Sequence, residues 1–296
     1  MNTAALASRA GRLLDGTVTA VRPLTGGDIS DAHRIDLADG RTVFAKTLAD
    51  APPRFFAAEA AGLALLRGTG TVAVPDVLAT GGPDDPGIIL LEWLEPAAPD
   101  RAQAERLGRD LAALHHTPAA RYGTDGPLFL GRVPQTGSAA PGDTPGDWAM
   151  FHVEHRLLPL LRQAADLGRV APADARAVER LCNRIGEIAG PPQPPAVIHG
   201  DLWSGNVQWS PDGRPRLIDP AAQGGHPETD LALLDLFGCP HLDALLAAYA
   251  ETRPVPGRAA RVPLHQLQHL LVHAVLFGGP YGRESGAAAR AALAAA

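Results

Sequence analysis

Apolar and polar residues alternate in short runs along the first third of the chain, at 18–24, 32–37 and 41–48. Such period-two runs predict β-strands, and a continuous apolar run at 87–94 predicts a further, buried strand. A helical pattern over 52–67 lies between them. We therefore predict a small antiparallel N-terminal lobe with one main helix.

Beyond residue 95 the spacing of the apolar residues becomes helical. One apolar stripe runs over 107–114, and longer helical patterns follow at 148–167 and 173–189. Residues 119–146 are rich in Gly and Pro, which predicts a long loop. These patterns predict an α+β fold of two lobes, with residues 1–94 in the first and 95–296 in the second.

Three polar side chains stand out where strand-like runs end in the second lobe. Asp201 and Asn206 are five positions apart in a loop, and Asp219 ends the next strand-like run. Protein-kinase-type enzymes use this Asp-to-Asn interval and a later Asp for phosphoryl transfer. One carboxylate accepts the proton of the attacking hydroxyl, while the amide oxygen and the second carboxylate hold Mg²⁺. His199, which opens the His-Gly-Asp sequence, is a further catalytic candidate.

The same residue types are also common in turns, so an isolated Asp-to-Asn pair usually belongs to a hairpin loop. The kinase interpretation therefore needs support from the N-terminal lobe. Gly26, Gly27, Asp28, Ile29 and Ser30 interrupt two strands there, and backbone amides of such a loop can face phosphate oxygens. A hairpin with no ligand is the alternative for this loop.

Lys46 and Glu59 supply the next parts of a nucleotide site. Lys46 lies inside a predicted strand, at the place of the lysine that contacts the α- and β-phosphates in kinases. Glu59 falls on the apolar face of the following helix, where a carboxylate is costly unless it is paired. We predict that the two form an ion pair. The alternatives are a solvated lysine and a glutamate at the edge of the apolar stripe.

Glu92, Trp93 and Leu94 end the buried strand at the predicted junction of the lobes. In a two-lobed kinase this segment offers backbone hydrogen bonds to adenine, so these residues are the hinge candidates.

Asp230, at the start of a later helix, has two compatible roles. It caps that helix, or it anchors the catalytic loop by accepting backbone N–H groups.

His265, His269 and His273 recur every four residues on the last long helix. Ligand spacing alone is weak support for a metal site, and leucines alternate with these histidines. We therefore interpret the stripe as packing and hydrogen bonding.

Composition narrows the classes of function. The chain has 296 residues, a net charge of −6 and only two cysteines, far apart. The charge argues against a general nucleic-acid partner, and no apolar run is long enough to predict a membrane span. We expect a soluble cytoplasmic protein with a small-molecule substrate, of unknown oligomeric state.

With these motifs in hand, the chain resembles the fructosamine kinase (ketosamine kinase) family. That family lies within the aminoglycoside phosphotransferase and choline kinase group of protein-kinase-like folds. The most specific match is His-Gly-Asp-Leu-Trp-Ser-Gly-Asn at 199–206, followed by Ile-Asp-Pro-Ala at 218–221. Further matches lie at 26–30, 43–46 and 226–232, so the resemblance spans nearly the whole chain.

The resemblance implies ATP-dependent phosphorylation of the 3-hydroxyl of a ketosamine, the adduct of a reducing sugar and an amine. It implies Asp201 as the base and Asn206 and Asp219 as the Mg²⁺ ligands. Lys46 and Glu59 become the phosphate-orienting pair, and the residues at 26–30 cover the phosphates. Trp203 becomes a stacking surface for the sugar.

One departure affects the acceptor. The segment 135–146 lacks the Asn-rich sequence that is typical of the family, and we expect that region to shape the acceptor pocket. A kinase of another hydroxyl acceptor, of the aminoglycoside, choline or methylthioribose type, is therefore the alternative enzyme. A catalytically silent nucleotide-binding protein is the alternative from another class.

Overall fold

The computed structural model describes residues 2–25, 29–82, 87–135, 137 and 148–295. In the N-terminal part of these ranges, the strands are β1 (Val18–Pro23), β2 (Asp31–Leu37), β3 (Thr42–Thr47), β4 (Val77–Thr80) and β5 (Ile88–Glu92). They form an antiparallel sheet in the order β1-β2-β3-β5-β4. Helix α1 (Thr3–Leu14) precedes the sheet, and helix α2 (Phe55–Gly68) connects β3 to β4.

Different helices cover the two faces of the sheet, because side chains alternate along each strand. On β3, Val43 and Ala45 pack on the α1 side, in a cluster with Leu6 and Ile35. Lys46 faces α2, where its amine reaches a carboxylate of that helix. The pleat of a single strand therefore separates the apolar support of the sheet from its functional face.

The C-terminal part is mostly helical. Its helices are α3 (Arg101–Leu114), α4 (Trp148–His152), α5 (Leu158–Asp166), α6 (Pro172–Ile188), α7 (Pro227–Leu236), α8 (Leu242–Ala250), α9 (Arg258–Phe277) and α10 (Tyr281–Ala294). Its short antiparallel strand pairs are β6 (Leu128–Leu130) with β7 (Val133–Gln135), β8 (Ala196–Ile198) with β11 (Gln223–Gly225), and β9 (Val207–Gln208) with β10 (Arg216–Leu217). None of the helices in the described ranges has the length and apolar character needed to cross a membrane.

One apolar core joins the sheet to the helices. It contains Phe56 and Leu63 of α2, Leu107 and Leu111 of α3, and Leu202 beside the candidate catalytic loop. All five side chains are at most 1% exposed. Because a close-packed core resists displacement of its side chains, this cluster fixes the position of α2 relative to the loop that follows β8.

The structure confirms the predicted α+β class, with an N-terminal antiparallel sheet and a larger helical part. The helix predicted over 148–167 is present and contains a π-helical turn at Val153–Leu157, within which the buried Arg156 donates to Gln223. One local prediction is wrong. The predicted loop over 119–146 contains the hairpin β6–β7, whose three-residue strands are too short to show a period.

Candidate active site

The loop that carries Asp201 follows β8 and turns sharply at Gly200. Gly200 has a φ of 82°, and a Cβ atom there would lie 2.2 Å from the carbonyl oxygen of Ala221. Only glycine accommodates both that conformation and that approach. A short 3₁₀ turn at Ser204–Asn206 then leads into β9. The local sequence thus places Asp201 and Asn206 on one tight loop.

The buried carboxylate of Asp230, on α7, holds this loop in place. Its two oxygens accept the backbone N–H groups of His199 and Gly200, each at 2.8 Å. His115 Nε2 lies 3.0 Å from one of these oxygens. Burial by itself would raise the pKa of Asp230, but the hydrogen bonds from His115 and from the loop hold it below its ordinary value. The anchoring role is therefore confirmed, and a different residue caps α7.

His199 lies beneath the loop and is fully buried. Its Nε2 donates to the carbonyl oxygen of Ile218 at 2.9 Å, and its Nδ1 accepts the N–H of Asp201 at 3.3 Å. Nε2 thus connects the two loops of the site, and Nδ1 holds the backbone of the loop that carries Asp201. These bonds indicate a positioning role, and the catalytic role predicted for His199 stays a prediction.

Asp201 has the environment of a general base. Burial, and then the nearby carboxylates of Asp219 and Asp230, raise the pKa of Asp201 to about 7. A carboxylate with that pKa accepts a proton more readily than an ordinary aspartate does. Asn206 Nδ2 donates to the Asp201 backbone oxygen at 2.7 Å and lies 3.5 Å from its carboxylate.

His269 of α9 supports the same loop from the opposite side. Its Nε2 lies 3.0 Å from the carbonyl oxygen of Gly200, which can only accept, so this nitrogen carries the proton. The same nitrogen is 3.6 Å from Asp201 Oδ1. His269, interpreted from the sequence as a packing residue, therefore also contacts the candidate base.

Lys46 connects the sheet to the second loop of the site. Its Nζ lies 2.8 Å from Glu59 Oε1 and also contacts Asp219 Oδ1. Burial alone would lower the pKa of Lys46, but the carboxylates of Asp219 and Glu59 hold it above its ordinary value, so the amine remains charged. The ion pair predicted between Lys46 and Glu59 is present.

Asn206 and Asp219 fit a magnesium ion by the chemistry of their donors. The backbone N–H of Ile218 donates to the backbone carbonyl oxygen of Asn206 at 3.0 Å, which brings the two segments side by side. Because Asn206 turns its amide nitrogen toward Asp201, its amide oxygen is the end left for a cation. A carboxylate and an amide oxygen are hard ligands of the kind that Mg²⁺ takes.

A cavity of about 200 Å³ opens between these groups. The predicted site residues that line it are Ile29, Ser30, Lys46, Glu59, Asp201, Trp203, Asn206 and Asp219. The other walls come from α2, the hairpin β6–β7 and the end of α9, and they include Phe55, Phe129, His273 and Phe277. Of the glycine-rich loop, Gly26, Gly27 and Asp28 lie outside the described residues.

The walls from β6–β7 and α9 were not predicted as site residues. The regular spacing of His269 and His273 was the signal available for α9. The short, Gly-flanked strands of β6–β7 offered none.

The predicted hinge residues do not line this cavity. Glu92 ends β5, where its carboxylate accepts the N–H of Asp76 at 3.1 Å. The guanidinium of Arg34 lies 4.9 Å from the centroid of the Trp93 ring. Their assignment to adenine therefore rests on the backbone of 92–94 and stays a prediction.

The three histidines of α9 occupy three different environments rather than one metal site. His269 contacts the catalytic loop, His273 lies against Phe237, and His265 stacks on Trp148. The three side chains thus make the packing and hydrogen-bond contacts that were interpreted from the sequence.

Within the described residues, one histidine and carboxylate group has the compactness of a metal site, namely His226, Glu228 and His265, whose donor atoms lie within 4.8 Å. Arg261 Nε lies 3.0 and 3.1 Å from the two oxygens of Glu228. The carboxylate is therefore neutralised by a guanidinium, and we interpret this group as part of the core.

Comparison with known proteins gives one consistent result. A family model described as fructosamine kinase matches residues 3–294. A probable ketoamine kinase of Thermus thermophilus is 39% identical over 284 residues, which cover 95% of this chain and 96% of that protein. The crystal structure of a candidate fructosamine-3-kinase from Thermobifida fusca has a TM-score of 0.89 at 41% identity, covering 99% of this chain and 100% of its own.

A more distant similarity concerns the fold alone. The choline kinase LicA of Streptococcus pneumoniae has a TM-score of 0.62 at 17% identity and covers 99% of both chains. The two-lobed protein-kinase-like fold predicted from the sequence is therefore confirmed.

Replacing Asp230 by Asn tests the anchor of the catalytic loop. The substitution keeps the volume but exchanges one accepting oxygen for an NH₂ group, which leaves a buried backbone N–H without its acceptor. We expect the free energy of unfolding to fall by about 1–3 kcal/mol, measured by denaturant unfolding. The control is Asp243→Asn at a side chain that is 79% exposed. Equal stability of the two variants would contradict the anchoring role.

The buried histidines predict how stability depends on pH. Burial first, and then neighbouring charges, lower the pKa of His152 and His226 to about 3. In the folded state the pKa of each imidazole is lower than in the unfolded state. Their contribution to the free energy of unfolding is therefore complete above the unfolded pKa of about 6.5 and is lost as pH falls below that value. We expect each to lower the free energy of unfolding by up to about 1.4 kcal/mol per pH unit below pH 6.5.

Urea unfolding at several pH values between 7.5 and 5 measures this slope. The variant His152→Gln has no titrating group at position 152. We expect its free energy of unfolding to change less steeply with pH than that of the wild type. A slope that is identical in the two proteins would show that His152 does not titrate differently on unfolding.

Proposed function

Because the chain belongs to the fructosamine kinase family, we propose that it transfers the γ-phosphoryl group of ATP to the 3-hydroxyl of a ketosamine. Family membership makes the protein a phosphotransferase with a hydroxyl acceptor. The observation that carries the finer proposal is one cavity lined by a candidate base, a charged lysine and an indole ring, at Asp201, Lys46 and Trp203.

The proposed reaction uses Asp201 as the proton acceptor. The 3-hydroxyl loses its proton to Asp201 while its oxygen forms a bond to the γ-phosphorus. The bond between that phosphorus and the bridging oxygen breaks, and ADP leaves with its electron pair. Little covalent chemistry falls to the protein, so positioning and charge provide most of the rate.

The other residues hold the phosphates and balance their charge. Lys46, kept in place by Glu59, presents its ammonium to the α- and β-phosphates. Ile29 and Ser30 line the cavity and would cover the phosphates. Asn206 and Asp219 would hold Mg²⁺, which when bound neutralises charge on the phosphate oxygens.

The nucleotide and the acceptor approach from different lobes in this proposal. Residues 1–94 form the nucleotide-binding lobe, with adenine on the backbone of Glu92, Trp93 and Leu94. Residues 95–296 form the catalytic and acceptor lobe, with the sugar against Trp203. The physiological role is deglycation in the cytoplasm, because phosphorylation at the 3-hydroxyl destabilises the adduct and releases the amine.

The lining of the cavity in the described residues supports a sugar over an antibiotic that carries several amines. Its walls include the apolar side chains of Phe55, Phe129 and Phe277. An antibiotic carrying several amines needs carboxylates to receive them. The carboxylates that line this cavity within the described residues are Glu59, Asp201 and Asp219, each already assigned to the phosphoryl-transfer machinery.

The variant Asp201→Asn tests the base. The amide keeps the volume but cannot accept the proton, so we expect kcat to fall by about 10²–10⁴-fold. The dissociation constant for ATP, measured by calorimetry, should change little because the contribution arises in the transition state. Asp166→Asn, at an exposed position on α5, is the matched control. Near-normal turnover by the Asp201 variant would place the base elsewhere.

A panel of acceptors tests the substrate class. ADP release is measured with fructosyl-lysine, ribulosyl-lysine, kanamycin and choline. We expect turnover of the ketosamines and none of the other two. Turnover of kanamycin or choline without turnover of any ketosamine would replace our assignment with that of another small-molecule kinase.

A further inference from the structure

Four aromatic side chains form a continuous surface beside the candidate base. We call Trp203, Phe237, His273 and Phe277 the aromatic ledge. Trp203, Phe237 and Phe277 are 38%, 37% and 47% exposed. The other large apolar side chains exposed in the described ranges are aliphatic and lie elsewhere, at Leu65, Leu78, Met150 and Leu167. Exposed aromatic side chains that gather at one place mark a binding surface more often than scattered ones do.

Three separate segments build the ledge. Trp203 comes from the catalytic loop, Phe237 from the end of α7, and His273 and Phe277 from the last turns of α9. The ring centroids of Trp203 and Phe237 are 5.8 Å apart, those of Phe237 and His273 are 5.0 Å apart, and those of His273 and Phe277 are 5.6 Å apart. Separations in this range are those of aromatic rings in contact.

Trp203 is held from behind by Gly205. A Cβ atom at Gly205 would lie 2.3 Å from the indole ring, so the ring lies directly over the glycine backbone. This packing, together with the edge contact of Phe237, restrains the indole without covering it. A surface that is ordered before the ligand arrives loses less conformational entropy on binding.

The ledge leads from the reacting atoms toward solvent. Trp203, His273 and Phe277 line the cavity together with Asp201, whereas Phe237 lies beyond it. In a ketosamine the amine nitrogen is bonded to C1 of the sugar, and only C1 and C2 separate it from the carbon that carries the 3-hydroxyl. When that hydroxyl is at Asp201, the nitrogen and its substituent must therefore leave the cavity over neighbouring surface.

The chemistry of the ledge matches that part of the acceptor. The nitrogen of a ketosamine is a secondary amine, which is protonated at neutral pH, and aromatic faces attract such cations. An alkyl or aryl substituent on the nitrogen would cover the exposed rings and remove apolar surface from water. A carboxylate next to the nitrogen would instead meet the negative faces of the rings and the carboxylate of Asp201.

We propose that the aromatic ledge is the subsite for the amine-bearing arm of the acceptor, and that it selects cationic ketosamines with an apolar arm over those with a carboxylate arm. This inference rests on the proposed ketosamine kinase function. It assigns to Phe237, His273 and Phe277 a role in specificity, while Trp203 serves both the sugar and the nitrogen.

The test compares kcat/KM for fructosyl-benzylamine with kcat/KM for fructosyl-glycine. We expect the wild type to prefer the benzylamine adduct by about tenfold or more, the scale of burying one apolar group of that size. In Phe237→Ala/Phe277→Ala this ratio should fall by at least about fivefold, because the rings that cover the phenyl arm are removed. The variant Phe277→Tyr keeps the aromatic face and should retain the wild-type ratio. Leu65→Ala removes an exposed apolar side chain remote from the ledge and serves as the control.

Different results would overturn the ledge proposal and the proposed kinase function. A wild type that phosphorylates both adducts with a ratio unchanged in the double variant would overturn the ledge proposal and leave the kinase assignment intact. A wild type that phosphorylates neither adduct would overturn both. Thermal unfolding of the double variant establishes that it is folded, and the single variants Phe237→Ala and Phe277→Ala provide the same comparison if it is not.

Discussion

The buried carboxylate of Asp230 is the constraint on which the active site depends. It accepts two consecutive backbone N–H groups of the catalytic loop and takes a third hydrogen bond from His115. A buried carboxylate is tolerated when its oxygens are satisfied in this way, and the same bonds fix the backbone from which Asp201 projects. The glycine at position 200 then decides the direction in which Asp201 leaves the strand.

The charges of the site are interdependent. Asp201, Asp219 and Asp230 lie close enough that the last two raise the pKa of the first. Lys46 offsets part of this negative charge through its contacts with Glu59 and Asp219. In the proposed reaction Asp201 accepts a proton, while Lys46 stays charged and available to phosphate. The raised pKa of Asp201 follows from burial and the nearby carboxylates, whereas Lys46 stays charged because the carboxylates of Asp219 and Glu59 outweigh the effect of its burial.

Sequence reasoning was most successful where a function needs a local pattern. The interval between Asp201 and Asn206, the lysine within β3 and the glutamate on the apolar face of α2 can all be recognised in the sequence. Sequence reasoning was least successful for the cavity walls that distant segments contribute. The hairpin β6–β7 lies in a region read as a loop, and Phe277 reaches the cavity from α9, far along the chain. Such contributions have no local signature, because they depend on how helices pack.

The sequence by itself determined the α+β class and the family, and it supplied the candidate phosphoryl-transfer residues. Strand periodicity, helix periodicity and motif spacing are properties of neighbouring residues, so they can be read without coordinates. Only the tertiary structure decided that His199 bonds through both ring nitrogens, that Asp230 anchors rather than caps, and that four aromatic side chains meet beside Asp201. Each of these facts joins segments tens of residues apart, and the burial and hydrogen-bond partners that define a role exist only once those segments pack together.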